Sequence, residues 1–575
     1  MSAHVPNPGQ LSITNRGVLL RPPVGTMRPT ATIAKPIKVL ALVTVEGTTI
    51  KFVDIGFIDC TGQRVKVTMS PSEFADFRRF RATLLDHGYA FPGEAGLAQR
   101  LHAELVAQPP LMRRHMLHRQ GWYQKCFVFA GEPVSLGNQI LSFEPAHPDH
   151  ARNFGYGGTL PDWKEGVAKY ARYSTRLTLS ISLALGAALM NFSDVESGGI
   201  HLTGDSGVGK TTCLLCAASV GGKAVRNDLY SWDITKTGLE ELAAAHNHML
   251  LCLDEIQRAS DTAGRAKEVR DAVYRVAGGS GRTRSAIYGV KVGTRTISWR
   301  LFFLLTGETS LNEVARIDSL NRLKGELVRA TDLPAQVHEQ YGIFESLPPG
   351  CTESIMLVEK IEAECLSNYG VAQRELVKRV GEDAETISAE IAAEMQRFLD
   401  GVRVPKEKWE HRFAKRFALA YAAAILAIKY DIVPWDAKMV ARAIKTCYLA
   451  ARATVPDADK LRTAGLMRLR ERLSDGATIV ELVRSGHKVQ WSTEQISEAE
   501  IFRRSGPKGA HYLVLSDTFI GWFDSPLQVD LVINELDRLE LLIKDPNVRT
   551  LQVLIKGISG RRRYYAIRET VLNLS

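Results

Sequence analysis

Residues His201–Gly222, HLTGDSGVGKTTCLLCAASVGG, decide how this chain folds. Within them Gly204 to Thr211 satisfy G-x-x-x-x-G-K-[ST], a spacing that lets backbone N–H groups wrap a phosphate chain. Such a loop needs those groups turned inward, and Gly204, Gly207 and Gly209 stand where a side chain would obstruct. The helix predicted from Lys210 onward points its positive end at the same spot. On this reading Gly204, Asp205, Ser206, Gly207, Val208, Gly209, Lys210, Thr211 and Thr212 bind ATP, with Lys210 reaching the β and γ phosphates and the Thr211 hydroxyl taking Mg2+. The plainer reading is a glycine-bearing strand-turn-helix connection. The flanks favour the cradle, because GGIHLTG (198–204) reads as an apolar strand and KTTCLLCAASV (210–220) as a helix.

A second motif gives the nucleotide a fate. MLLCLDE (249–255) is a continuous apolar run, hence a strand buried on both faces, and it delivers Asp254 and Glu255 at its carboxyl edge, where open α/β sheets bind ligands. Asp254 would hold Mg2+ through water, and Glu255 would polarise the attacking water as a general base. The alternative, a pair that only caps the next helix, is disfavoured beside an intact loop. A third strand, RLFFLLTGE (300–308), ends in Thr306 and Glu308, and Thr306 is the choice for sensing the γ-phosphate, against a strand merely leaving the core. Hydrolysis at a subunit boundary also needs a cation, often a neighbour's arginine. Arg316, Arg322 and Arg329 follow the third strand. Arg329, in GELVRATDLPA (325–335), is favoured over a reading as a solvated surface charge.

Around this core the texture is helix alternating with apolar strand, the mark of a parallel sheet covered by helices. TGLEELAAAHN (237–247) reads as a helix opened by a Thr237–Glu240 capping box. The chain divides into a mobile Pro- and Gly-rich leader at 1–36, an α+β domain at 37–158, the nucleotide block at 159–348, a helical subdomain at 349–455 and a winged-helix outline at 456–575, read from a helix followed by two strands. A length of 575 residues fits roughly three or four domains. A net charge of +10, from 73 basic and 63 acidic residues, permits polyanion binding without requiring it.

The N-terminus has no apolar export signal, and LTLSISLALGAALMNF (177–192) is too short for a bilayer, so a buried helix and a cytoplasmic protein are expected, with no membrane partner. Eight scattered cysteines do not form a disulfide framework. Cys213 and Cys216 have metal-ligand spacing but no second pair, so they read as packing on one helix face, and His246 and His248 as a polar helix end. Two basic segments remain. GGSGRTRSAIYGVKVGTRTISWR (278–300) carries Arg282, Arg284, Lys291 and Arg295 with Tyr288 among them, and reads equally as a DNA-contacting hairpin or as an edge hairpin kept soluble by charge. GRRRYYAIR (560–568) mixes cations with aromatics in the same two-sided way.

Six segments in this order, GWYQKCFVFAG (121–131), GTLPDWKEGVAKYA (158–171), ESGGIHLTGDSGVGKTT (196–212), SWDITKTGLEELAAAHNHMLLCLDEI (231–256), WRLFFLLTGE (299–308) and RFALAYAAAILAIKYDIVPW (416–435), resemble the phage and mobile-element ATPases called domain of unknown function 927. The resemblance implies a P-loop AAA+-type α/β core like that of the cassette-element replicative helicases, assembled as a ring, usually a hexamer, that draws DNA through its pore on hairpins preceding the third core strand. It sets the 278–300 hairpin in that position. It also matches Arg329 to an arginine that acts across the subunit interface. No primase-like segment is recognisable. The expectation is a Mg-ATP-dependent, homo-oligomeric helicase or translocase acting on single-stranded or forked DNA in the replication of a prophage or mobile element. The competing expectation is an ATP-dependent DNA-binding switch without unwinding activity.

Overall fold

The computed structural model describes residues 9–573 apart from 24, 47–48, 95, 138, 146, 232–233, 256–264, 282–296, 318–321, 323, 406, 476–478, 483–490, 507–508 and 557. At its centre is a five-stranded, all-parallel sheet: β1 (Gly198–Thr203), β2 (Tyr230–Ser231), β3 (Leu250–Asp254), β4 (Phe302–Gly307) and β5 (Ala330–Pro334), in the order β2-β3-β4-β1-β5. The apolar runs predicted as doubly buried strands behave so residue by residue. Leu251, Leu253, Phe303 and Leu305 enter one core, while Cys252, Phe302 and Leu304 enter the other. A strand with no polar alternation is stable only when both faces are covered by helices.

The helices that cover it and bear on the site are α1 (Thr175–Leu189), α2 (Lys210–Gly221), α3 (Lys236–Ala245), α4 (Arg265–Ala277), α5 (Leu311–Ile317), α6 (Lys324–Arg329), α7 (Ser354–Ser367) and α8 (Lys408–Lys429). Helix α1 is buried nearly all round, its Arg176, Thr178, Ser180 and Ser182 included, and lies in the larger core with α2 and α8, the expected place for a helix without a solvent-facing side. The stretch Thr175–Phe192 is long and apolar enough to cross a bilayer, yet 83% of it is buried inside the protein. Helix α3 is capped two residues earlier than expected: the Thr235 hydroxyl, not Thr237, accepts the Gly238 N–H at 3.1 Å. Two helices absent from the sequence reading, Ser354–Ser367 and Val371–Glu382, open the helical region.

Two further findings depart from the sequence reading. Residues 10–34, expected to belong to a mobile leader, form a three-stranded antiparallel sheet of Gln10–Thr14, Gly17–Arg21 and Ala31–Ala34. Leu11 and Val18 are buried against the adjoining six-stranded sheet, so a short apolar alternation wins over the surrounding Pro and Gly. At the other end, Leu551–Leu554 and Arg561–Arg568 do pair as a hairpin, but Arg561–Arg568 also pairs with Gly509–Leu515 inside a six-stranded sheet. Tyr564 faces one core there, Tyr565 and Ile567 another. The strand is thus an interior one rather than half of a free two-stranded wing.

The N-terminal region is locked to the sheet at one seam. Asn247 Nδ2 donates to Gln120 O at 2.6 Å, its Oδ1 accepts the Arg300 N–H at 2.8 Å, and His248 Nδ1 accepts the Trp122 N–H at 3.2 Å. His246 and His248, expected at a polar helix end, are instead buried, and burial pushes their pKa values down to about 4 and about 3. Only the opened seam takes up these protons, so its stability is fully present above about pH 6.5 and is lost as pH falls toward 4. Each ring accounts for something of the order of 3 kcal/mol. Hydrogen exchange at 245–251 is therefore expected to accelerate between pH 6.5 and 4, and His248→Asn to blunt that acceleration.

Candidate nucleotide site

The phosphate-loop sequence leaves β1 at Thr203 and enters α2 at Lys210. Gly209 has φ +101°, and a Cβ there would come within 2.9 Å of Ile343, so only glycine fits that turn. From the other side, the Ile343 N–H donates to Val208 O at 3.0 Å. Lys210 Nζ donates to Gly204 O at 2.5 Å and Asp205 O at 2.7 Å, so the loop is closed upon its own lysine. Burial lowers the Lys210 pKa, against the opposing charges of Glu308, Asp205, Asp254 and Glu255. An anion entering the loop replaces two carbonyl dipoles with full charges around that ammonium.

Strands β3 and β4 bring the other predicted residues together. Thr306 is buried at the end of β4, and its hydroxyl donates to Asp254 and accepts the Glu255 N–H at 3.1 Å. Glu255 has φ +53°, a left-handed conformation that costs of the order of 1 kcal/mol or more in a residue with a Cβ. One hydroxyl thus holds the Asp254 carboxylate and the Glu255 main chain. Thr306→Val keeps the volume and removes that bridge.

These groups line a cavity of about 680 Å³ that includes Lys210, Thr211, Asp254, Glu255 and Thr306, a volume within the range of small-molecule sites. Its far wall is not legible in the sequence: Arg226, Gln336, Tyr341 and Phe344, with Ile355 and Val358 of α7. They converge from segments far apart in the chain, and no local pattern marks them. Thr211 and Asp254 offer the hard oxygen donors that Mg2+ takes, so the residues present fit that ion. The Thr212 hydroxyl is turned away, donating to Glu362 at 2.8 Å, while Glu362 also holds Arg226 at 2.8 and 3.0 Å. What Thr212 can offer a phosphate is its backbone. Cys213 and Cys216 are buried in the core behind the loop, the latter 3.8 Å from Cys365.

The candidate arginines separate. Arg322 is buried, 3.3 Å from Asp332, which also pairs with His201 at 2.9 Å and accepts the Leu311 N–H at the start of α5. Burial works to raise the Asp332 pKa, but the His201 hydrogen bond and the Arg322 charge hold it below the usual carboxylate value. Arg322 is therefore committed to the core. Arg329 does not line the cavity of its own chain; its guanidinium lies 4.5 Å over the Tyr274 ring and donates to Gly325 O at 2.9 Å. The Arg316 side chain and the hairpin residues Arg282, Arg284, Tyr288, Lys291 and Arg295 lie outside the described residues. The base of that hairpin is described: Gly281 N donates to Ile297 O, Trp299 N to Gly279 O, and Arg119 of the N-terminal region to Ser298.

Residues 20–295 match the family described as Domain of unknown function (DUF927). Among solved structures the chain is similar to "SCCmec type IV Cch - active helicase", with 98% of this chain and 99% of that one covered, 15% identity and a TM-score of 0.63. At that identity the likeness shows a shared α/β fold. The apo A form of the NrS-1 C-terminal region aligns over 92% of this chain and 96% of its own at 10% identity, with a TM-score of 0.27, too low to carry an argument. No curated protein matches.

Proposed function

With residues 20–295 matching the DUF927 domain and the chain folded like the SCCmec helicase, we propose that this protein is an AAA+-type, Mg-ATP-hydrolysing DNA helicase or translocase of a prophage or mobile genetic element, working as a homo-oligomeric ring in that element's replication. The observation that carries the reading is the convergence of Lys210, Asp254, Glu255 and Thr306 on one cavity. The interposed strand supports it further. β4 separates the phosphate-loop strand β1 from the acidic strand β3, and it supplies the hydroxyl that holds the Asp254 carboxylate and the Glu255 main chain.

In this site Lys210 leaves the carbonyls of Gly204 and Asp205 for the β and γ phosphates. Thr211 and Asp254 hold Mg2+, which when bound neutralises charge on the phosphates. Glu255 takes a proton from the attacking water, oriented through Thr306. Arg329 completes the site of the neighbouring subunit. The hairpin base lies at the amino end of β4, the end opposite Thr306, where Arg275 of α4 pairs with Glu240 of α3 at 2.6 Å and Trp299 Nε1 donates to Val276 O at 2.7 Å. The hairpin then carries Arg282, Arg284, Lys291 and Arg295 against a DNA backbone.

The switch reading would lean on the C-terminal helix Pro526–Arg538 to read DNA. Asp530, Glu535 and Asp537 on that helix engage Arg549, Arg538 and Lys544, so those cations are committed to carboxylates rather than to phosphates. Forked DNA with ATP tests the motor directly. Unwinding and DNA-stimulated hydrolysis by the native chain, lost in Lys210→Ala, are expected. Absence of both in an assembled native protein would leave only the switch. Replacing Arg282, Arg284 and Lys291 together by Ala is expected to abolish DNA stimulation while basal hydrolysis persists.

A further inference from the structure

Helix α8 sends one buried cation into the central sheet. Arg416 is 3% exposed. Its Nη1 donates to Gly199 O at 2.9 Å and reaches Thr331 Oγ1 at 3.4 Å; its Nη2 donates to Val328 O and lies 3.5 Å from Arg329 O. Every one of these partners is a carbonyl or hydroxyl oxygen. Burial lowers its pKa to about 10, so the group is still a cation at neutral pH. The carbonyls of Val328 and Arg329 end α6, where the helix dipole favours positive charge. The chain also makes room for the group: a Cβ on Gly198 would stand 2.1 Å from Arg416 Nη2. A side chain built only for packing would need neither the glycine nor the fork.

One guanidinium therefore grips both the strand that leads into the phosphate loop and the backbone of Arg329. We propose that Arg416 is a positioning residue for Arg329, fixing how that arginine is presented to the neighbouring subunit and tying its presentation to β1 of its own chain. The inference rests on the reading above that Arg329 acts in trans. Its physical content is rigidity. Charge-assisted hydrogen bonds from a planar fork hold Gly199 O and the end of α6 in one body, so a shift of β1 when its loop exchanges nucleotide moves the arginine offered next door. Occupancy of one site is then felt at the adjacent one.

The test is Arg416→Lys, which keeps the charge and loses the fork, with Thr331→Val as a milder variant that removes the hydroxyl partner together with that hydroxyl's own bond to Leu327 O of α6. If Arg416 acts through Arg329, the lysine variant hydrolyses ATP about 10- to 100-fold more slowly, the cost of misplacing a transition-state group by about 1 Å, while its own ATP Kd changes less than about twofold. Mixing it with Lys210→Ala chains restores hydrolysis, because its intact loop then meets a correctly held Arg329 on the neighbour. Thr331→Val shows the same pattern at smaller amplitude, and decides the matter should the lysine chain not assemble. Unchanged kcat, a weakened ATP Kd, or no rescue where Arg329→Ala is rescued overturns the proposal. Failure of Arg329→Ala itself to be rescued places the fault in the trans reading instead.

Discussion

Glu255→Gln chains are expected to bind Mg-ATP with nearly native affinity and to hydrolyse it about 100- to 10,000-fold more slowly, the range for loss of a general base. The structure sharpens this expectation. Glu255 is held in a left-handed backbone conformation by the Thr306 hydroxyl, which simultaneously fixes Asp254. Glutamine keeps the side-chain length and leaves those main-chain contacts untouched, so the loss falls on proton transfer alone. Lys210→Ala separates the other half of the site. It removes the one side-chain cation of the phosphate loop, and the Kd for ATP is expected to rise about 100-fold, as for truncation of a hydrogen-bonded charge in a partly buried pair. Equilibrium binding of a fluorescent ATP analogue, beside single-turnover hydrolysis, distinguishes the two. Glu255→Gln that still turns over at the native rate would remove Glu255 from the chemistry, whatever the fold.

How much of this site and fold is legible in the amino-acid sequence depends on how local each physical constraint is. The turn at Gly209 is local: a side chain collides there, and the spacing records it. The strands β3 and β4 are legible for a related reason, because burial on both faces removes the polar alternation that most strands need. Thr306 follows from its place at a strand end. Its double hydrogen bond does not, since that requires knowing that β4 lies beside β3. The far wall of the cavity is hidden for the same reason in a stronger form. Tyr341 reaches the loop where Ile343 pairs with Val208 across the fold, and Ile355 where α7 packs on α2, and no run of neighbouring residues encodes those pairings. The early sheet at 10–34 is hidden differently: its apolar residues, Leu11 and Val18 among them, come in short runs broken by Pro and Gly and gain their stability from the sheet they pack against. His246 and His248 mislead because a polar side chain at a helix end is normally solvated, whereas here the N-terminal region closes over it.

Arg329→Ala is expected to lower hydrolysis about 1,000-fold or more, the scale on which a trans-acting arginine contributes to phosphoryl transfer, with binding of ATP retained. The reasoning begins from where Arg329 is not. It does not line the cavity of its own chain, and its guanidinium lies on Tyr274 at the end of α6. Arg329 immediately precedes β5, whose Ala330 pairs with Gly199 at the amino end of β1, whereas the loop follows Thr203 at the other end of that strand. Arg322, the nearest alternative, cannot be released for the task, because Asp332 holds it in a buried network with His201 and the start of α5; freeing it would strand a buried carboxylate at a cost of about 3–5 kcal/mol. If Arg329 serves the neighbour, the defect belongs to the interface rather than to the chain. Chains of Arg329→Ala and Lys210→Ala, each inactive alone, then regain hydrolysis when mixed, at those interfaces that join an intact loop to an intact arginine. Addition of excess Lys210→Ala raises the activity per Arg329→Ala chain, whereas a residue acting within its own chain shows no dependence on the mixing ratio.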